Sequence, residues 1–343
     1  MIKSSQITLA DIARKLKVSK VTISKALRDH PDISAATKER VRETAKELGY
    51  FPNFFARNLS SKKSGTIGLL VPKIAHHFFS TIIESIYDTA LENNYEVILM
   101  VSQENAQREA LHLQTLLSMR VDGLLISVSK MTQDLTIFKE IEKFNIPTVF
   151  FDRVLNQLTF STVTTDDIDG AYQLVKHAID CGYRKIAHLA GYPHTNIGSH
   201  RRQGYEKALL ENGISLKSDW IIEGGFSEID GKNGFRHLFQ SGNLPDMIFT
   251  VTYPVALGVI AAANEVGINI PGQLDIICFG GSDYNRCVSP SITCAEQPAQ
   301  ELGKKATLFL LNKINNPGQN SDQHLVLPTK LYLGDTCKSR VEI

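Results

Sequence analysis

The chain has 343 residues, 43% hydrophobic and 21% charged, which is more than one compact core usually accommodates, so we expect two or three folding units. No run of about 18 apolar residues is present to cross a bilayer, and the polar, basic start of the chain lacks the apolar segment of a secretory signal. These features exclude a membrane-spanning protein and predict a cytoplasmic one.

The charge of the chain is divided unevenly between its two ends. Residues 1–65 contain 14 lysines and arginines against 6 acidic residues, whereas the rest of the chain contains 23 against 30. A basic head on a mildly acidic body indicates a polyanionic partner for the head alone.

The cysteines contain no CxxC pair, which argues against a disulfide framework and against a thiolate metal site. We expect them to be small, mostly buried hydrophobic residues, and we expect no metal ion and no cofactor. They are Cys181, Cys278, Cys287, Cys294 and Cys337.

Apolar residues recur with helical spacing in the basic head. Leu9, Ile12, Ala13 and Leu16 share one face of a first helix that Thr8 caps. Ser19 caps a second helix over residues 20–27, and Ser34 caps a third helix that ends at Gly49. The pattern predicts three short helices around one small core.

The first two helices, joined by a tight turn, have the form of a helix-turn-helix, whose second helix enters the major groove of DNA. We assign base contacts to Lys20, Val21 and Lys25, because long cations donate to guanine and apolar groups contact thymine methyls. The alternative is that these are solvated positions of an ordinary helical bundle. Polar side chains suited to the sugar-phosphate backbone are Thr8, Ser19, Thr22, Ser24 and Lys38.

Residues 8–59 resemble the lactose/galactose repressor (LacI/GalR) family, and the resemblance continues through nearly the whole chain. It is carried by the runs 8–13 (TLADIA), 18–27 (VSKVTISKAL) and 48–53 (LGYFPN). Lys17 stands where the family usually has glycine in the turn, which predicts a non-glycine residue with positive φ. Lys25 replaces the usual arginine, which removes a bidentate donor and softens base discrimination.

The resemblance implies that residues 52–59 form a hinge helix that orders on operator binding. Leu59 is then a wedge that unstacks a base step in the minor groove. The competing interpretation makes Leu59 a plain linker residue. The hinge residues expected to contact DNA are Asn53, Ala56, Arg57 and Leu59, and residues 60–65 are a short polar linker.

From residue 66 onward, short apolar runs alternate with helical patterns. Residues 66–71, 96–100, 123–126 and 148–151 predict one series of buried parallel strands, and a second series occupies 185–189, 220–222, 247–249 and 275–279. Two such series predict two doubly wound lobes.

The resemblance adds the fold class. It implies an N-terminal all-α, lambda-repressor-like helix-turn-helix domain and an α/β two-lobed domain of the type I periplasmic-binding-protein fold. We expect a DNA-binding domain at 1–50, a hinge and linker at 51–65, and an effector-binding and dimerisation domain at 66–343. Chain crossings near 161–164, 289–292 and 324–328 divide lobe one (about 66–161 and 292–324) from lobe two (about 164–289 and 328–343).

Open α/β sheets bind ligands beyond the carboxyl ends of their strands, so we expect an effector between the lobes. The cleft residues implied by the resemblance, together with the residues at positions where this chain departs from the family, are His76, Phe78, Phe79, Asp152, Arg153, Asp166, Arg201, Phe226, Thr252, Tyr253, Ser282 and Asp283. Taken singly, Phe78 and Phe79 are also typical of core residues.

Several departures in the cleft bear on the ligand. Thr252-Tyr253 stands where the family commonly has Asn-Asp, and residues 278–283 (CFGGSD) stand where it commonly has Gly-Phe-Asp. Fewer acceptors fit a sugar poorly, which indicates either another kind of metabolite or compensation by Ser282 and Asp283. His76 and His77 replace the usual Asn-Pro pair and are either surface residues or readers of an anionic effector or of pH.

No sequence motif of an enzyme is present. No GxGxxG follows a strand, no HExxH or GxSxG occurs, and residues 225–233 fail as a phosphate loop at both Phe226 and Asn233. We therefore predict a non-enzymatic repressor that binds a double-stranded DNA operator as a homodimer under control of a sugar, sugar derivative or other metabolite. The alternatives are a regulator with a vestigial cleft and a solute-binding protein, although the basic head argues against the latter.

Overall fold

The computed structural model describes residues 7–50, 63–155, 157–281, 283–318 and 322–340. Its contacts separate two compact units, Met1–Ser64 and Gly65–Ile343. The predicted hinge contacts Asn53, Ala56, Arg57 and Leu59 lie outside the described residues, as does Ser282, and only the backbone of Asp283 is described.

The first unit contains three helices, α1 (Leu9–Leu16), α2 (Lys20–Leu27) and α3 (Ala35–Glu47). Their starts are capped as predicted, since the Ser19 hydroxyl accepts from the Thr22 amide and the Ser34 hydroxyl from the Thr37 amide. Their buried core consists of Ile12, Ala13, Ile23, Ala26, Val41 and Ala45. The three-helix bundle expected from the apolar spacing is therefore confirmed.

The turn between α1 and α2 contains the predicted backbone irregularity. Lys17 has φ 54° and ψ 41°, in the left-handed region that favours glycine. Its amide donates back to the last turn of α1, so the strained residue ends that helix. Gly49 ends α3 with φ 65°, again as predicted.

The second unit is built from twelve strands and eight helices among the described residues. The strands are β1 (Thr66–Val71), β2 (Glu96–Val101), β3 (Gly123–Ile126), β4 (Thr148–Phe151), β5 (Ser161–Thr165), β6 (Ile186–Ala190), β7 (Ile221–Glu223), β8 (Met247–Thr250), β9 (Asp275–Phe279), β10 (Thr293–Glu296), β11 (His324–Leu327) and β12 (Lys330–Tyr332). The helices are α4 (His77–Glu92), α5 (Ala106–Ser118), α6 (Thr136–Lys143), α7 (Asp167–Asp180), α8 (Asn196–Glu211), α9 (Glu228–Gln240), α10 (Tyr253–Glu265) and α11 (Ala299–Asn315).

The strands form two six-stranded sheets, ordered β11-β5-β4-β3-β1-β2 and β12-β10-β9-β8-β6-β7. All pairs are parallel except β10 with β12. Helices cover the sheets, and each sheet has a buried apolar cluster on either face. Two doubly wound lobes are the architecture that the two series of apolar runs predicted.

Two of the three crossings between the lobes come later than expected. The segments at 161–165, 293–296 and 324–327 are strands that stay hydrogen-bonded to the sheet the chain is leaving. The chain crosses only after Thr165, after Glu296 and after Leu327. The predicted crossings at 161–164 and 289–292 were therefore a few residues too early, whereas the predicted range 324–328 contains the observed crossing after Leu327. Strand pairing is a long-range feature that spacing does not reveal.

Smaller differences concern single residues. Trp220 ends a 3-10 turn and is buried, so the predicted strand at 220–222 is Ile221–Glu223 instead. Cys278, Cys294 and Cys337 are buried as expected, but Cys287 is exposed. No described helix combines the length and apolar character needed to span a membrane.

Candidate nucleic-acid interface and ligand cleft

Helix α2 exposes the residues predicted to read DNA bases. Val21 is 65% exposed, so its side chain is accessible to a partner. Lys20 precedes it at the start of the helix and has no hydrogen bond or ion pair to another described residue. An exposed apolar group beside a cation provides two of the contacts that base edges in the major groove accept.

Lys25 lies one turn further along α2 and already has a partner. Its Nζ lies 2.8 Å from Oδ2 of Asp32, in the loop after the helix. The hydrogen bond from Lys25, with the nearby His30, lowers the pKa of Asp32. Lys25 must therefore exchange the Asp32 carboxylate for a base if it reads DNA.

Several residues predicted to contact phosphates form hydrogen bonds within the basic head. Thr8 and Asp11 form a capping box at the start of α1, with the Thr8 hydroxyl 2.7 Å from Asp11 Oδ2. The Ser24 hydroxyl accepts from Arg28. Lys38 is 15% exposed and donates to the Asp29 carbonyl at 3.0 Å. Lys38 thus ties α3 to the loop after α2, and its phosphate contact stays a prediction.

A cavity of about 310 Å³ lies between the two lobes. Lobe one lines it from the end of β4 and the start of α4, and lobe two from the ends of β8 and β9 and the starts of α9 and α10. Most of the predicted cleft residues meet here, namely His76, Phe78, Phe79, Asp152, Arg153, Arg201, Phe226, Thr252 and Tyr253. The structure therefore assembles residues from both lobes at one site.

Arg153 is held in the cavity wall by Glu104. Its Nη1 lies 2.9 and 3.0 Å from the two carboxylate oxygens, and both side chains are nearly buried. Burial by itself raises the pKa of Glu104, but Arg153 and the Lys130 amide outweigh it and hold the pKa below its usual value. The guanidinium also stacks on the Phe226 ring at 4.9 Å, so it spans the cleft from lobe one to lobe two.

Two buried polar atoms at this cavity have no hydrogen-bond partner among the described residues. They are Nε of Arg153 and Nδ1 of His76. Burial lowers the pKa of His76 to about 4, which keeps its ring neutral at physiological pH. A buried polar atom without a partner is costly, so both atoms can pair with polar groups of a ligand in the cavity.

Arg201 is oriented by Asp167 at the start of α7. Arg201 Nε lies 2.8 Å from Asp167 Oδ1, and Nη1 donates to the Val251 carbonyl at 2.7 Å. The guanidinium lies over the Phe279 ring at 3.9 Å. Burial raises the pKa of Asp167 and Arg201 opposes that effect. One flat cation is thus fixed against an aromatic face at the cavity wall.

Asp152 follows β4 directly with φ 58°, a left-handed conformation that turns its carboxylate into the cavity wall. Burial raises the pKa of Asp152 to about 6, while Arg153 and Arg201 oppose the shift. The folded protein therefore holds the proton of this carboxyl more tightly than an exposed aspartate does.

Hydrogen bonds join the two lobes beside the cavity. Asn196 at the start of α8 donates through Nδ2 to the Asp152 carbonyl at 2.8 Å and accepts from the Val154 amide at 3.2 Å. His194 Nε2 lies 2.7 Å from the Lys130 carbonyl. These contacts link lobe two to the loops that follow the strands of lobe one, so the cleft is closed on this side.

Comparisons with known proteins follow the same two-part division. Residues 8–53 match the profile described as bacterial regulatory proteins, lacI family, and residues 64–333 match periplasmic binding proteins and sugar binding domain of LacI family. The chain belongs to the LacI family. The family resemblance and the fold class predicted from the sequence are therefore confirmed.

Characterised relatives of this LacI-family chain are transcription regulators along their full length. Catabolite control protein A of Priestia megaterium is 31% identical over 97% of this chain and 99% of its own. The repressor CytR of Escherichia coli K12 is 31% identical over 96% of both chains. A crystal structure of the lac repressor dimer bound to operator aligns with TM-score 0.84 at 26% identity, covering 97% of this chain and all of that one. The chain is a DNA-binding transcription regulator.

The LacI-family cleft of this chain departs from the predicted set in its details. Asp166 does not line the cavity, because its carboxylate caps α7 by accepting from the Asp169 amide at 2.9 Å. The neighbouring Asp167 engages Arg201 instead. His77 points away from the cavity into a more open groove, beside Arg286 and Glu296. The adjacent histidines are therefore divided between two sites.

The two residues at the Asn-Asp position of the family are satisfied within the protein. The Thr252 hydroxyl donates to the Phe226 carbonyl at 3.1 Å, and the Tyr253 hydroxyl to Asn285 at 3.4 Å. Sequence reasoning missed Glu104 and Lys130, which also line the cavity. Their positions in the sequence could have identified them, because both follow the carboxyl end of a predicted strand, where parallel sheets bind ligands.

Proposed function

We propose that this chain is a repressor that binds a pseudopalindromic operator as a homodimer. Its affinity for the operator decreases or increases when a small molecule fills the cleft. The observation that carries the DNA-binding part is the surface of α2 in the basic head, where the 65% exposed Val21 stands next to Lys20, which has no hydrogen bond or ion pair to another described residue.

We assign base reading to Lys20, Val21 and Lys25. Phosphate contacts are proposed for Thr8, Ser19, Thr22, Ser24 and Lys38, and minor-groove contacts for Asn53, Ala56, Arg57 and Leu59. Helix-turn-helix dimers read two half-sites about 34–36 Å apart on one face of the duplex. The solved dimer of the lac repressor on its operator supports the same arrangement here. The proposed place of action is the cytoplasm, and the proposed role is binding without catalysis.

We propose that the effector is a small molecule with a ring and a hydrogen-bond acceptor or anionic group. The unpartnered Nε of Arg153 requires an acceptor, and His76 Nδ1 lies in the same cavity. The rings of Phe79 and Phe226 supply flat apolar walls. A cavity of about 310 Å³ suits a metabolite of one or two rings. Ser282 and Asp283 remain candidates for further contacts.

Selection of operator fragments from genomic DNA, followed by footprinting with the full chain, tests the DNA-binding proposal. We expect two protected half-sites about one helical turn apart. Val21→Asp places a carboxylate against the bases and abolishes the footprint, whereas Ile229→Asp at an exposed position of α9 leaves it intact. Equal affinity for the selected and for random DNA would contradict sequence-specific reading.

Calorimetry against ring-bearing carboxylates, phosphorylated sugars, nucleosides and neutral sugars tests the effector proposal, with operator affinity measured for each binder. We expect a ligand with an acceptor or anionic group to bind and to shift operator affinity reciprocally. Arg153→Met weakens that ligand about tenfold or more, and Arg202→Met on the outer face of α8 does not. A cleft that binds nothing, with operator affinity unchanged, would identify a constitutive regulator.

A further inference from the structure

Three metal-ligand side chains meet in lobe two, far from the ligand cleft. His177 and Cys181 lie one helical turn apart at the end of α7, and Cys337 reaches them from the C-terminal segment. The Nε2, Sγ and Sγ atoms all lie within 4.8 Å of one another. At about 1.5 Å per residue, Cys181 stands about 21 Å along α7 from Asp167. The cluster is therefore separate from the cleft.

The backbone on both sides of Cys337 is fixed without help from its thiol. The Thr336 amide donates to the Ser291 carbonyl, and the Thr293 amide donates to the Thr336 hydroxyl at 2.9 Å. After Cys337, the Arg340 amide donates to the carbonyl of Cys181 at 2.8 Å. Cys337 itself has φ 65°, an uncommon conformation for a residue with a side chain. The segment thus presents the thiol to α7 in a preorganised position.

The distances match a tetrahedral zinc site. With Zn–N of about 2.0–2.1 Å and Zn–S of about 2.3 Å, two such ligands lie about 3.6 Å apart. Cys181 Sγ and His177 Nε2 are 3.6 Å apart. Two thiols and an imidazole form a soft donor set that favours zinc over magnesium or calcium. His177 and Cys181 are only partly buried, which leaves a route for the ion and a fourth position for solvent.

We propose that His177, Cys181 and Cys337 bind one Zn²⁺ ion, with solvent as the fourth ligand. The ion fastens the C-terminal segment to α7. This proposal revises the expectation of no thiolate metal site. That expectation rested on cysteine spacing along the sequence, which does not reveal that the fold brings Cys181 and Cys337 together.

Without a metal ion, the environment of the cluster keeps both thiols protonated. Burial raises the pKa of the Cys337 thiol, and the neighbouring Cys181 and the carboxylate of Asp275 add to that effect. Burial likewise raises the pKa of Cys181. Asp275 Oδ1 is buried without a hydrogen-bond partner in the described residues. Metal binding therefore displaces thiol protons and tightens as the pH rises.

The test is titration of the reduced full chain with Co²⁺, then displacement by Zn²⁺. Thiolate-bound tetrahedral cobalt gives a sulfur-to-metal charge-transfer band and intense d–d bands, which do not depend on DNA binding. We expect one equivalent, with the charge-transfer band weakened in Cys181→Ser and in Cys337→Ala and affinity reduced about tenfold or more in His177→Ala. Cys287→Ser, which alters an exposed cysteine outside the cluster, is the matched control and keeps the full signal.

Circular dichroism verifies that each variant is folded. If Cys337→Ala is unstable, the charge-transfer band of Cys181→Ser alone tests the proposal. A charge-transfer band that is absent, or that persists unchanged in the folded Cys181→Ser variant, overturns the proposal. So does a Cys181–Cys337 disulfide in air-exposed protein when the reduced protein takes up no metal. Loss of the band in Cys287→Ser would show adventitious binding and would overturn it as well.

Discussion

Arg201 and Asp167 form an ion pair in which both side chains are only 2% exposed, with Nε 2.8 Å from Oδ1. Two charges removed from water are stabilised only by each other and by further hydrogen bonds, here the Val251 carbonyl. Loss of one partner leaves the other charge buried and uncompensated. The pair therefore fixes the wall of the cleft, and breaking it is costly.

Arg201→Met lowers the free energy of unfolding of lobe two by about 3–5 kcal/mol, because Asp167 loses its counter-charge. The double variant Arg201→Met/Asp167→Leu recovers much of that loss, since no charge stays buried. Trp220 is the single tryptophan of the chain and is buried in lobe two, so its fluorescence in urea reports the change. Arg236→Met, in the exposed pair with Glu265, serves as control and has no measurable effect. A double variant no better than the single one would contradict the argument.

The elements were more predictable from the sequence than their partners were. Local signals such as the Ser19 cap and the turn at Lys17 need only neighbouring residues, and each was found where expected. Sheet order joins segments far apart in sequence, as when His324 pairs with Thr162, and for this reason the first two crossings between the lobes were predicted too early. The same limit explains why Asp166 was chosen for the cleft although Asp167 pairs with Arg201: a helical cap and a buried pair differ by one residue.

Glu109 makes the stability of lobe one dependent on pH. Burial raises the pKa of Glu109 to about 7, although Thr132 and the Ser129 amide donate to its carboxylate. The folded protein therefore holds this proton more tightly than the unfolded chain. Its contribution to stability is complete below the ordinary pKa of 4.5 and is lost as the pH rises towards 7.

Glu109→Gln removes this dependence, because the amide can still accept from Ser129. Between pH 4.5 and 7, the free energy of unfolding of the parent protein falls relative to the variant by about 3 kcal/mol. Urea unfolding at a series of pH values measures the difference. Glu92→Gln, at an exposed position of α4, is the control and runs parallel to the parent. Parallel curves for Glu109→Gln itself would disprove the buried titration.

Lys25→Ala is expected to relax base preference at one position of the operator at a cost of about 1–3 kcal/mol. Asp32→Asn acts in the opposite direction: it frees Lys25 from a 2.8 Å ion pair and removes a negative charge close to the DNA, so operator affinity increases a few-fold. Fluorescence anisotropy on operators with single base changes measures both effects. Lys46→Ala, at the far end of α3, controls for the loss of a cation. A loss from Lys25→Ala that is uniform across all sequences would instead make Lys25 a phosphate contact.

Asn196 is expected to set how firmly the lobes are closed, since its one amide group both donates to Asp152 and accepts from Val154 across the cleft. Asn196→Ala removes both bonds and leaves the Val154 amide without its acceptor. Hydrogen exchange of the peptide containing Val154 then becomes about tenfold faster, the equivalent of one hydrogen bond of about 1.4 kcal/mol. Asn212→Ala, whose amide bonds only within the end of α8, leaves that peptide unchanged. If protection at Val154 survived in Asn196→Ala, the closed cleft would be held by other contacts, of which the His194–Lys130 bond is the next to test.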